Sequence, residues 1–269
     1  MTPSSHTATP HSPSSHPPPI ETYCFSNTYI QRSRPYLTTS QIDSLRPSDE
    51  ARTIQTRLSA CQWIVQVAAV LQLYCASPTL LPLPSSTDAP GQSPVRTVAT
   101  AMILYHRLLL FNKTPFLQEN HTEPSIAALF VACKIEDTLK KSREILAVSY
   151  NLRHPNAEPI NPDSPVLEDN AKRVIGMERQ ILETSSFDFR NRHAQPFLVK
   201  FCRRYNIGRT LAHRAWQISV DAYRTLSPLR ATPHAVALAA LETACRLESH
   251  PIRIEYGQLE ATRDDVLCV

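Results

Sequence analysis

The stretch that decides the fold is ALFVACKIEDTLKKSREIL, residues 128–146. A run free of charge from Ile126 to Cys133 breaks abruptly into Lys134, Ile135, Glu136 and Asp137. The preceding residues, HTEPSIAALFVACKIED (121–137), read as a helix, with Thr122 as its expected cap and Pro124 in its first turn. A Lys near a helix C-terminus suits the dipole there, but two acids oppose it. Either the cluster is a solvated helix end, or Lys134 is held in place to meet something.

The helical beat continues on both sides. PSDEARTIQTRLSACQWIVQVAAVLQLY (47–74) opens with Ser48 as a plausible N-cap and two acids in the first turn, and Leu58, Cys61, Val65 and Ala68 keep a 3.6-residue period. VRTVATAMILYHRLLLF (95–111) is apolar nearly all round and therefore central. Further helices are expected over 141–151, 166–186, 195–207, 210–226 and 232–249. No segment shows the alternation of a strand, so the protein is read as all-α. Residues 1–34 form a Pro/Ser/His-rich tail expected to be disordered, and 77–94 a long Pro-rich loop.

An internal echo joins two of these helices. Ala132-Cys133-Lys134-Ile135-Glu136 returns 112 residues later as Ala244-Cys245-Arg246-Leu247-Glu248, and each copy closes an Ala-rich helix with a Pro near its start (Pro124, Pro233). That spacing is too long for a helical solenoid and fits two copies of a roughly 100-residue domain.

Composition narrows the function. Four glycines against 23 prolines disfavour Gly-rich phosphate loops, and a net charge of +4 is too mild to argue for nucleic acid. The seven cysteines show no C-x-x-C spacing, and Cys61, Cys133, Cys202 and Cys245 lie in apolar helical stretches, as core residues would. No metal or cofactor constellation emerges. Neither a membrane-spanning run nor a charged-then-apolar leader is present, so the expectation is a soluble, intracellular protein without a membrane partner.

Three segments together carry a resemblance. YHRLLLFNKTPF (105–116), ALFVACKIEDTLKKSREIL (128–146) and AKRVIGMERQILETSSFDF (171–189) are similar, in order and spacing, to the second, third-to-fourth and fifth helices of the transcriptional cyclins, the K, T and L types. The resemblance covers about residues 35–250. It implies tandem five-helix cyclin boxes: an N-terminal box with its preceding segment over 35–190, and a partial second box over 191–269. Only HPIRIEYGQLEATRDDVLCV (250–269) follows the third helix of the second box, where the family would supply two more helices. That shortfall implies exposed apolar surface on Ala235–Leu247, covered by the kinase or a third subunit.

The resemblance also implies a role. Such a chain is a regulatory subunit without catalytic chemistry. It binds and activates a cyclin-dependent kinase acting on the C-terminal domain of RNA polymerase II, promoting transcription elongation in the nucleus. Lys134 and Glu178 would lie side by side on the kinase-facing surface, where a Lys can donate to, and a Glu accept from, orphan main-chain groups. Val131, Lys134 and Ile135 share one helix face, as do Glu178 and Leu182 on another, with Phe189 just beyond. These six would form an apolar groove around a charged pair. The first helix departs from cell-cycle cyclins: Trp63 is present, but Thr56 and Ala60 stand where the substrate-docking patch has Met and Leu. A different reading is a nucleic-acid-binding initiation factor with cyclin-like repeats, although such factors carry a zinc ribbon and a markedly basic second repeat.

Overall fold

The computed structural model describes residues 34–45, 49–71, 94–112, 114–191, 193–259, 262–267 and 269. The tail up to residue 33, most of the Pro-rich loop and Ser48 lie outside the described residues.

Twelve α-helices are described: α1 (Thr39–Leu45), α2 (Glu50–Val70), α3 (Pro94–Phe111), α4 (Pro115–Glu119), α5 (Thr122–Ile135), α6 (Ser142–Arg153), α7 (Glu168–Thr184), α8 (Gln195–Arg204), α9 (Arg209–Asp221), α10 (Ser227–Arg230), α11 (Pro233–Leu247) and α12 (Arg263–Leu267). Short 3-10 turns occur at Pro165–Leu167, Ala222–Arg224 and Tyr256–Leu259, and there is no strand among the described residues. The all-α reading stands. Two caps differ from expectation. Asp49, not Ser48, starts α2 by accepting from the Arg52 amide at 3.0 Å. Thr122 is the first residue of α5; His121 holds the cap position without a side-chain bond, and the side chain of Asn120 accepts from the Thr122 amide at 3.1 Å. A carboxylate or amide just ahead of the helix satisfies the orphan amides, which periodicity alone could not locate.

Helix α5 is the hub of the first half. Every residue from Pro124 to Cys133 is buried, because α2, α3, α6 and α7 all pack on it. Helix α11 is the hub of the second, with α8, α9, α10 and α12 around it. The echo seen in the sequence extends to backbone geometry. Asp137 and Ser249 both adopt left-handed φ, +55° and +51°. Each lets the next amide turn back to the helix: Thr138 N–H donates to Cys133 O at 3.0 Å, and His250 N–H to Cys245 O at 2.8 Å. Both hubs thus end in the same Schellman-type cap.

The expected exposed apolar surface on Ala235–Leu247 is not found. Ala235 through Leu241, Ala244 and Cys245 are buried, and of the apolar residues in this stretch only Leu247 is widely exposed. The reason is coverage by the chain itself: α12, too short for the sequence pattern to single out, brings the buried Val266 against α11. A groove of about 430 Å³ remains beside it, lined by Ile218, Ala239 and Val266.

A polar seam locks the halves together. His106 Nε2 donates to Tyr223 O at 2.8 Å, and Tyr223 Oη accepts from the Ala194 amide at 2.9 Å. Leu37 N–H donates to Leu229 O at 2.7 Å, tying the segment ahead of α1 to the second half. Burial lowers the His106 imidazole to about 3, against the opposing effect of its bond to Tyr223. The unfolded ring, titrating near 6.5, binds a proton that the folded ring refuses, so stability falls as pH drops from 6.5 towards 3. We expect denaturant titrations to show a loss of about 2 kcal/mol between pH 7 and pH 5, and His106→Gln to flatten that slope.

Candidate functional site

The charged cluster after α5 divides between inside and outside. Glu136 turns inward, its side chain 8% exposed. It accepts from Thr100 Oγ1 at 2.6 Å and from His193 Nε2 at 3.2 Å, and Arg96 stands 3.4 Å away. Burial pushes its carboxyl up, but the hydrogen bonds from His193 and Thr100 and the charges of His193 and Arg96 outweigh this and hold it below its ordinary value. The acid that fits a helix C-terminus poorly is therefore explained by the fold: it bridges α3, α5 and the segment leading into α8. Asp137 is explained by the left-handed turn, which Asp tolerates better than most residues.

Lys134 turns outward. Its ammonium donates to Glu178 Oε1 on α7 at 2.7 Å and lies 4.1 Å from the centre of the Phe130 ring. The Lys134 side chain stays 45% exposed and that of Glu178 19%, so the pair retains donors and acceptors facing outward. A second ion pair, Arg173 to Glu123 at 3.0 Å, fixes α7 on α5 at another point. The pair is thus held on two rigid helices.

Of the six residues expected in a groove, five are at the surface. Ile135 and Leu182 are half-buried against the core, and Phe189 is exposed. Val131 is corrected: at 1% exposure it belongs to the core, because the close approach of the neighbouring helices to α5 leaves no outward face one turn before Lys134. Three apolar residues that the sequence reading passed over are exposed in the same segments. Ile175 is three residues before Glu178 and seven before Leu182, and the i, i+3, i+7 spacing could have revealed it. Leu139 follows the cap of α5 and is 74% exposed. Phe187 is exposed and, with Ser186, adopts left-handed φ (+56° and +50°), a costly conformation for a bulky side chain. No sequence signal marks it beyond the Phe-x-Phe spacing with Phe189.

Comparison with known proteins bears on this arrangement. No family model matches the chain. It is 34% identical over 229 residues to the CTD kinase subunit beta of Schizosaccharomyces pombe, covering 82% of this chain and 61% of that protein. It is 35% identical over 157 residues to the Saccharomyces cerevisiae subunit of the same name, covering 57% of this chain and 47% of that one. Human cyclin-K is 28% identical over 214 residues, 78% of this chain and 32% of the cyclin. Among solved structures, a chain of the yeast RNA Pol II CTD kinase CTDK-1 complex superposes with a TM-score of 0.71 at 28% identity, over 87% of this chain and 70% of that one. The chain is similar in sequence and fold to these cyclins and kinase subunits. A chain of the yeast TFIIK complex, at 19% identity and a TM-score of 0.51, shares the fold. The chain spans about half to three-fifths of the length of the two CTD kinase subunits. In this chain, the outward-facing Lys134–Glu178 pair and the buried Glu136 have separate duties.

That separation is measurable without a partner. Glu136→Ala orphans buried Thr100 and His193 and should cost the isolated chain about 1–3 kcal/mol. Lys134→Ala, at a half-exposed ion pair, should cost less than about 1 kcal/mol. Urea melts showing equal losses would contradict the assignment.

Proposed function

We propose that the chain is the regulatory cyclin subunit of a cyclin-dependent kinase that phosphorylates the C-terminal domain of RNA polymerase II, in the nucleus. The supporting observation is the Lys134–Glu178 pair, fixed on α5 and α7, with Ile175, Leu139, Phe187 and Phe189 exposed in the same segments of the chain. An outward ammonium and carboxylate can meet the orphan carbonyls and amides at the ends of a kinase's regulatory helix. The apolar residues around them would bury that helix's hydrophobic face. Ile135 and Leu182 complete the contact surface, while Val131 supports it from the core. Binding here favours the kinase's active arrangement, in which a helix Glu and its partner Lys meet around ATP; the cyclin itself supplies no catalytic group.

The reading takes residues 35–190 as the first box with its preceding segment and 191–269 as a partial second box. The similarity to CTD kinase beta subunits and to a chain of the yeast RNA Pol II CTD kinase complex supports the choice of polymerase tail as the kinase's substrate; a third subunit is proposed as a further component of the complex.

The test is affinity for the kinase subunit, measured by interferometry with the full chain. Truncating one member of a charged pair that becomes buried in the complex should cost about 2–5 kcal/mol, so Lys134→Ala and Glu178→Ala should each weaken binding strongly while leaving the melting profile close to wild type. Unchanged affinity in both variants would remove this face from the interface.

A further inference from the structure

The segment from Phe189 to Val220 contains seven Lys and Arg residues and no Asp or Glu. The structure folds most of it into the α8–α9 hairpin, closed by Asn206 at φ +50° and a bond from Ile207 N–H to Cys202 O at 2.9 Å. Lys200, Arg203 and Arg204 stand at i, i+3 and i+4 on the exposed face of α8. Arg209 and Arg214 are exposed on the adjoining helix, while Leu198, Phe201, Ala212 and Ala215 turn into the core. The face is therefore both basic and held on a rigid support.

Local stability accounts for part of this charge. Arg203 and Arg204 suit the C-terminal end of α8, and Glu248 on α11 reaches Arg214 at 3.2 Å. Glu255 stands at the rim, its amide donating to Tyr205 Oη at 3.4 Å. Arg209, however, occupies the first position of α9, where a cation opposes the helix dipole, and no acid in that turn offsets it. Among the described residues, neither Lys200 nor Arg209 has an ion-pair partner. Guanidinium groups gathered around one turn are suited to the tetrahedral oxygens of phosphate.

We propose that this face binds a phosphorylated, otherwise extended peptide, with its phosphates received around Arg203, Arg204 and Arg209. Nucleic acid fits less well. Phe197, Tyr205 and Trp216 pack against the core instead of offering stacking faces, and the overall charge is only +4. The anion chemistry stands on the face itself; the identity of the peptide rests on the function proposed above. On that reading the ligand is the kinase's own product, the phosphorylated polymerase tail. Holding one modified repeat would keep its neighbours near the kinase by raising their effective concentration.

The experiment is fluorescence anisotropy on the full chain with labelled polymerase-tail repeats, phosphoserine-bearing and unmodified, and with single-stranded RNA of similar length. The phosphopeptide should bind about tenfold more tightly than the unmodified form. Arg203→Glu with Arg204→Glu should erase that preference, and Lys200→Gln with Arg209→Gln, both at exposed positions, should weaken it severalfold without disturbing the fold. Equal affinity for the two peptides, RNA binding tighter than the phosphopeptide, or indifference to both double variants would overturn the proposal. Kinase affinity of the wild-type chain and of the same variants is read separately: its absence in the wild-type chain would count against the proposed function, whereas its presence alongside absent phosphate preference would count against this inference alone.

Discussion

The constraint on which the structure depends is the burial of α5 on every side. A helix with no polar face must put all its polarity at its ends, and this one does. At its start Asn120 caps the amides and Glu123 pairs with Arg173; at its finish come Lys134, Glu136 and Asp137. Small side chains along α5, Ala127, Ala128 and Ala132 among them, let four helices approach at once. The same logic recurs at α11, where Ala235, Ala237, Ala239 and Ala240 are buried. The two hubs end in matching left-handed caps at Asp137 and Ser249.

From that constraint follows the division within a single turn. Glu136 leaves the helix pointing inward and joins α3 to His193, so it belongs to the seam between the two halves. Lys134, two residues earlier, points outward and finds Glu178. A helix that presents its last turn at the surface can do both with adjacent charges. The strained Ser186–Phe187 backbone lies just after α7, next to this outward face, and it projects an aromatic ring into solvent. Strain of this kind persists only where the surrounding structure fixes it.

Much of this was legible in the sequence, for definite reasons. The helices were readable because apolar residues recur at 3.6-residue spacing, and the pairing of Lys134 with Glu178 came from a family resemblance that the geometry bears out at 2.7 Å. The caps were not readable, since Asp49 and Asn120 act one and two residues ahead of the helices they serve. The core position of Val131 was missed because facing Lys134 on one helix does not reveal how closely the neighbouring helices approach. The cover on α11 was missed because α12 is five residues long, too short to show a period. Phe187 depends on a backbone conformation that an aromatic residue gives no reason to expect.

The central claim is that the end of α5 and the outer face of α7, continuing to Phe189, form the kinase-binding surface. Hydrogen exchange of the full chain, measured free and bound to its kinase, tests it most directly. Binding at this face slows exchange in residues 134–141 and 175–189 and leaves the α8–α9 hairpin unchanged. Protection confined to α8, α9 or α11, with residues 134–141 and 175–189 exchanging as in the free chain, would contradict it.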